Sequence, residues 1–326
     1  MTSTPTKPAP SHQWNLVASI PFIGWHFLLP LAVLFPFKWE YVAVVFVTYY
    51  LRMFGITAGY HRYFSHRAFK TNRVFQFILA FLAQMGVQKG VLWWAANHRH
   101  HHRYSDMEND IHSPARKGFW WSHMAWILVK DYEETNLSAI KDFAKYPELV
   151  WLNKYFLVPP LVGLAVVYAI GGLPWAFYAG VVSTVLVWHG TFSINSLTHI
   201  FGSRRYLTTD NSRNSFILAL ITCGEGWHNN HHFHQNTANQ GWFWWEIDFT
   251  FYALKVLSWF GVVSDLRLPS EQTKLCYLKY TDAQRAQLKA EAKFNAWRTP
   301  PQRKPSITPD ELPAMGMGLA QVMVKR

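Results

Sequence analysis

Between residues 155 and 203 the chain carries no Asp, Glu, Lys or Arg, and Gly171-Gly172-Leu173-Pro174 breaks the run near its middle. A helix that crosses a bilayer needs about 20 largely apolar residues. The run therefore predicts two spans, 155–171 and 175–195, joined by a tight Gly-Gly-x-Pro connection. A second uncharged run covers residues 8–37, and beyond Lys38-Trp39-Glu40 an apolar segment continues to Tyr60. It predicts another hairpin with spans over 16–36 and 41–60, interrupted by Pro21, Pro30 and Arg52. Uncharged lengths of this size are hard to bury in a soluble fold of 326 residues. Residues 74–94 are apolar too but include Gln76, Gln84, Gln88 and Lys89. A fifth crossing there would part the polar regions onto opposite faces, so an interfacial or re-entrant helix is expected.

Composition sharpens this picture. The chain is 50% hydrophobic and 17% aromatic with 15% charged residues, yet its mean hydropathy is only −0.04. Abundant aromatics and sparse charge exclude a disordered chain, and Cys223 and Cys276 alone exclude a disulfide scaffold. Lys and Arg number 31 against 19 Asp and Glu, an excess that by itself suits nucleic acid or an anionic membrane surface. Their placement decides: 13 lie in residues 61–155 and 15 in residues 196–326, while the hairpin tips carry only Lys38. The positive-inside rule then places both polar regions and both termini in the cytoplasm, and nucleic acid is not an expected partner. Residues 1–12 and the Pro-rich stretch 299–310 read as mobile tails, with Thr281 and Gln284 capping a helix to about Trp297. No cleavable signal peptide is expected. The expected fold is an all-α integral membrane protein. Four transmembrane helices in two hairpins occupy residues 13–268 together with a cytoplasmic helical cap over 61–154 and 196–268, and a cytoplasmic C-terminal helix and tail follow over 269–326.

The 16 histidines are not scattered. His61 and His66 lie in HRYFSH, His98, His101 and His102 in HRHHH, His199 in NSLTH, and His228, His231 and His232 in HNNHH. The H-x-x-H-H boxes place three imidazoles toward one side of a helix. His61 and His66 would stand about 140° apart on a regular helix, which suits ligands straddling a helix end. Asn195 and His199 share a face where the fourth span ends, and the first group begins where the second span ends. All four groups can meet just under the membrane. Neutral imidazole binds Zn, Fe, Cu and Ni, and nine exceed what one tetrahedral zinc takes, so the cap is expected to enclose two metals. Among the others, His100 should face away, and His26 and His189 inside spans are expected to bond neighbouring helices. His112, His123 and His234 are candidates for fixing a ligand's tautomer. Glu225, in the E-x-x-H of Glu225-Gly-Trp-His228, is expected to hold His228 or a water.

At GYHRYFSH, NHRHHHRYSD, DIHSP, KGFWWSHMAW, INSLTH and GEGWHNNHH, in this order from about Gly55 to Leu268, the chain resembles the membrane fatty acid desaturases of the stearoyl or delta-9 type. The resemblance implies four membrane helices, a cytoplasmic cap and two iron ions held by the nine histidines named above, with Asn195 contacting one metal through water. It implies a reaction in which dioxygen and two electrons serve to remove two hydrogens from a saturated acyl chain, giving a cis double bond and two waters. Iron is capable of this and redox-silent zinc is not. The metal centre would be the catalyst, and no side chain is assigned as acid or base. Trp93, Trp94, Trp120, Trp121 and Trp188 are candidates for lining an acyl tunnel, and Arg116, Lys117, Arg204 and Arg205 for contacting a phosphate-bearing head group.

The animal acyl-CoA branch carries Asp before the second box and Tyr within the last, where this chain has Asn97 and Asn230. Trp227-His228-Asn229-Asn230 looks more like bacterial, cyanobacterial and plant members, with a bacterial inner membrane as the implied location. The carrier could be CoA, a glycerolipid or a carrier protein. There is no His-Pro-Gly-Gly haem core, so a separate ferredoxin-like or cytochrome donor is implied, and a basic face suits an acidic partner. Two other readings compete. A His-box lipid or alkane hydroxylase would keep the metals but insert oxygen. A membrane metal transporter or bis-His haem protein would place His within the spans, where only His26 and His189 fall.

Overall fold

The computed structural model describes residues 12–291 and Arg298. The Pro-rich C-terminal tail, nearly all of the N-terminal tail and the expected last turns of helix before Trp297 lie outside the described residues. The chain is mostly helical, and its one sheet among the described residues is a two-residue antiparallel pair, with Lys70 opposite Ser264 and Thr71 opposite Val263.

The first apolar segment does not form one long helix. Helix α1 (Leu16–Phe27) ends before Pro30, and a 3-10 turn over Leu29–Leu34 follows. Proline has no N–H to continue the α ladder and is best tolerated in the first turn of a new one, where Pro30 sits. The second segment is longer than expected. Helix α2 (Trp39–Phe54) continues without a break as a π-helical stretch over Gly55–Ser65. Two segments, Trp39–Ser65 and Val158–His199, are long and apolar enough to cross a membrane. The latter bends back at Gly172, which at φ 66° takes a left-handed conformation that suits glycine. This agrees with the Gly-Gly-x-Pro turn read from the sequence. It divides the segment into α6, assigned over Val158–Phe177, and a returning arm that includes α7 (Ser183–Ser196). The two arms touch where a Cβ on Gly180 would meet Leu164.

Residues 74–94 form α3 (Arg73–Gln84) and the start of α4 (Val91–Tyr104), separated by a turn in which Val87 and Lys89 have positive φ. Helix α3 lies hard against the π-helical stretch. A Cβ on Gly55 would sit 2.6 Å from the Leu82 backbone, and one on Gly59 2.9 Å from the Leu79 carbonyl. Gly-x-x-x-Gly spacing is what allows two backbones to approach this closely.

Arg52 lies buried between α2 and α7, and among the described residues it has no carboxylate partner. Its guanidinium donates instead to the Thr48 and Ala179 carbonyls and to the Ser183 and Thr184 hydroxyls. These bonds compensate a buried cation and tie α2 to the returning arm.

Both helices that carry H-x-x-H-H boxes are capped from a distance. Gly90 precedes α4 and has no side chain to cap it, so Gln84 Oε1 accepts from Val91 N and Asn153 Oδ1 accepts from Leu92 N and Trp93 N. Asn153 belongs to α5 (Pro147–Lys154). A Cβ at Gly90 would lie 2.2 Å from that oxygen, which explains the glycine. Asn214 Oδ1 likewise accepts from Asn229 N and Asn230 N at the start of α8 (His228–Phe233). Asn153→Ala leaves two buried N–H groups without partners and is expected to lower stability by about 1–2 kcal/mol. Thermal unfolding of the detergent-solubilised protein would show this as a lower midpoint.

Candidate metal centre

The π-helical stretch brings His61 and His66 together. His66 N donates to His61 O at 3.2 Å, an i to i+5 bond, so the two imidazoles lie on one side with ring centroids 4.8 Å apart. The 140° separation expected for a regular helix does not apply, because the wider π turn stacks residues five apart.

The boxes on α4 and α8 also behave differently from expectation. Each is divided between two clusters of nitrogens. His61, His66, His98, His102 and His231 form one, and His101, His199, His228 and His232 the other. Positions i and i+4 of each box go to one cluster and i+3 to the other, crosswise: α4 gives two imidazoles to the first and one to the second, α8 the reverse. On a helix i+3 and i+4 are about 100° apart, enough to serve adjacent centres.

In the five-histidine cluster the Nε2 atoms face one another. His61 to His231 and His66 to His98 are 3.0 Å, and His98 to His102 and His102 to His231 are 2.9 Å. With metal–nitrogen bonds of about 2.0–2.1 Å, ligands at right angles lie about 2.9 Å apart and tetrahedral ones about 3.4 Å, so these edges fit one metal with near-right-angle ligation. In the second cluster His199 Nε2 and His228 Nε2 are 3.1 Å apart. His232 Nε2 is buried without a hydrogen-bond partner while its Nδ1 is committed to Asp210, as a nitrogen lone pair kept for a metal would be. Burial first, and then neighbouring imidazoles, hold His98, His102, His228 and His231 well below the usual 6.5. They are neutral at physiological pH, the form that binds metal.

The family model for fatty acid desaturases matches residues 37–256 of this chain. The chain belongs to the fatty acid desaturase family. An sn-2 palmitoyl-lipid 9-desaturase of Nostoc sp. is 35% identical over 260 residues, covering 78% of this chain and 90% of that protein. An sn-1 stearoyl-lipid 9-desaturase of Synechocystis sp. is 36% identical over 276 residues, with 82% and 84% covered. An acyl-CoA C20 Delta5-desaturase of Anemone leveillei is 34% identical over 265 residues, with 79% and 85% covered. The protein is an oxidoreductase, a fatty acyl desaturase.

The desaturase holds its cluster histidines from outside through carboxylates. His199 Nδ1 meets Asp106 at 2.9 Å, His101 Nδ1 meets Asp110 at 3.0 Å, and His232 Nδ1 meets Asp210 at 2.7 Å. Burial pushes the Asp210 carboxyl up, but His232 and His199 outweigh it and leave it well below its ordinary value. Glu225 meets His61 Nδ1 at 2.5 Å and accepts two bonds from Arg62. It therefore serves His61, not His228 as the E-x-x-H spacing implied. Burial raises the Glu225 carboxyl, yet His61 and Arg62 bring it below the usual range. Asp106, Asp110 and Asp210 escaped sequence reasoning, as did Arg62 behind Glu225. Asp106 and Asp110 sit within the RYSDMENDIHSP stretch, and their offset from the boxes offered the one signal.

The remaining expected residues divide. His112 stacks on His101 with centroids 4.2 Å apart, and its Nδ1 is buried without a partner. His101, Asp110 and His112 form a third group with metal-binding spacing. His123 commits its nitrogens to Ser196 and His189, not to any of the nine. His26 and His189 face each other at 3.0 Å, the interhelical role expected of them. His100 turns away to the Asn109 carbonyl.

A cavity of about 840 Å³ runs from His98, His112 and Asn195 down between the helices to Thr48, Arg52, Ala179 and Gly180. Trp93, Trp94 and Trp188 line it, and Trp120 and Trp121 do not. Trp120 is 66% exposed, and Trp121 packs behind the wall with its Nε1 bonded to the Ile111 carbonyl. None of the four proposed head-group cations lines it either. Arg116 bonds the Asp106 carbonyl, and Lys117 lies over the Trp121 ring. Arg204 pairs with Glu291 and Arg205 with Glu246, beside a separate basic cleft that includes Arg285 and Lys289.

Proposed function

We propose that this desaturase is a four-span membrane enzyme that introduces a cis double bond, at the delta-9 position, into a saturated acyl chain using two iron ions held by the nine histidines. The observation that carries the reading is the junction of the five-histidine cluster with the apolar cavity at His98, which belongs to both. His61, His66, His98, His102 and His231 would hold one ion, and His101, His199, His228 and His232 the other, with Asn195 reaching the latter through water. Bound iron with dioxygen supplies an oxidant strong enough for unactivated methylenes.

The protein's own part is to hold the chain and keep it dry. Polar groups along the wall are turned to one another: Trp188 Nε1 donates to the Gly86 and Val87 carbonyls, Trp94 Nε1 to Gln88 Oε1, and Gln88 Nε2 to Thr191 Oγ1. What remains for a bound chain is mostly hydrocarbon and indole surface. The apolar helices and the basic cap support a multi-pass membrane protein with its metal site and termini in the cytoplasm. Electrons would come from a separate donor, for which the basic cleft at Arg204, Arg205, Arg285 and Lys289 offers charge complementarity. Relatives whose names specify lipid-linked and CoA-linked chains leave both carriers as substrates to test.

Mass spectrometry of lipids from cells expressing the protein tests the reaction. Acyl chains lighter by two hydrogens support it, and chains heavier by one oxygen alone would overturn it in favour of hydroxylation. Thr191→Trp places an indole across the cavity and is expected to remove most conversion while the metal content stays at the wild-type level. A variant that loses metal and product together would count against the cavity as the acyl site.

A further inference from the structure

The two clusters differ sharply in the charge that surrounds them. In the four-histidine cluster three imidazoles, His101, His199 and His232, each give their Nδ1 to a buried aspartate. Both oxygens of each of these aspartates accept hydrogen bonds, the further donors being neutral groups. Asp106 takes Ser113 Oγ at 2.6 Å and Asn211 N at 2.7 Å. Asp110 takes the amides of Asp106 and His112, and Asp210 takes Thr208 Oγ1 and Ser212 N. Among the described residues none of the three has an ion pair with Lys or Arg. In the five-histidine cluster the one carboxylate on an imidazole, among the described residues, is Glu225 on His61, and it is paired with Arg62 at 3.0 Å, a guanidinium it shares with Asp248. The Nδ1 atoms of His102 and His231 are buried without a hydrogen-bond partner, as in the other cluster is that of His228 alone.

We infer that the two metal positions are inequivalent, and that Asp106, Asp110 and Asp210 act as positioning residues that make the four-histidine position the tighter one. This rests on the dimetal reading above. An imidazole whose N–H is held by a carboxylate is a stronger donor through its other nitrogen and is fixed in the ligating tautomer. Three uncompensated anionic groups also attract a divalent cation across a poorly screened interior. The five-histidine position has one more nitrogen, but a single carboxylate touches its imidazoles and that carboxylate is paired with Arg62. Coulomb attraction from three carboxylates outweighs one additional neutral ligand. The four-histidine position therefore fills first and empties last.

Full-length protein in detergent, stripped with a chelator and titrated anaerobically with Fe(II), should take up two equivalents in two separate steps. His98→Ala, which removes a nitrogen from the five-histidine cluster, should leave the tight step in place. Asp106→Asn and Asp210→Asn keep the side-chain shape and remove the charge, and each should weaken the tight step about 10- to 100-fold. Glu225→Gln should leave it unchanged. Two equivalents bound in one step, loss of the tight step in His98→Ala, or a tight step sensitive to Glu225→Gln and not to the aspartate variants would overturn the inference. The wild-type titration stands even if a variant fails to fold. Binding of fewer than two equivalents by folded wild-type protein would overturn the dimetal reading itself, and the inference with it.

Discussion

Cells expressing His98→Ala are expected to lose the new double bond, with unsaturated product falling by more than about 100-fold, beyond what loss of even an outer partner costs a metal site. His98 Nε2 lies 3.0 Å from His66 Nε2 and 2.9 Å from His102 Nε2, and the same side chain lines the cavity. Removing it opens a gap at the point where metal and acyl chain would meet. The variant should remain in the membrane at normal abundance, because α4 is anchored by Asn153 and Gln84 rather than by this imidazole. His100→Ala is the matched control. It removes a histidine from the same helix whose ring points to the Asn109 carbonyl, and product formation should persist. Equal loss in both variants would mean that the helix, not the ligand set, was damaged.

Arg62→Leu is expected to destabilise the fold by about 3–5 kcal/mol, because it leaves buried carboxylates without their cation. Arg62 is fully buried and donates to Glu225, to Asp248 and to the Ala238 carbonyl. Asp248 in turn accepts from Phe251 N at the start of the helix α9 (Phe249–Trp259) and from Gln240 N. One guanidinium therefore joins the π-helical stretch, the residues just before α8 and the cap of α9. Burial already holds the Asp248 carboxyl above its ordinary value even with Arg62 present. Without the guanidinium the folded-state value rises further. A group raised in the folded state opposes folding as pH climbs past its unfolded value, so the deficit should shrink as the pH is lowered toward that value. Thermal midpoints of wild type and variant across a pH series would show this. An equal deficit at every pH would point to lost packing instead of unpaired charge.

The hairpin turn at Gly172 was legible because a Gly-Gly-x-Pro break in an uncharged run has few other uses. The grouping of nine histidines was legible because box spacing and apolar span ends put them on one side. In the first apolar segment Pro30 was legible as an interruption, but hydropathy alone does not show that α1 ends at Phe27 and a 3-10 turn follows. The angular relation of His61 and His66 was misjudged for a related reason. The π-helical stretch packs Gly55 and Gly59 closely on α3, and no local signal at the histidines marks the wider turn.

By itself, then, the sequence determined the residue types and local spacing: apolar lengths, a basic cap, and imidazoles at i, i+3 and i+4. Only the tertiary structure decided how each box is shared between two centres, because that depends on the angle at which α4 and α8 face each other. It alone decided that Asp106, Asp110 and Asp210 back one cluster while Arg62 pairs with Glu225 at the other. Such pairings join residues far apart in the chain, and electrostatic and hydrogen-bond partners of this kind are fixed by packing, which no local pattern encodes.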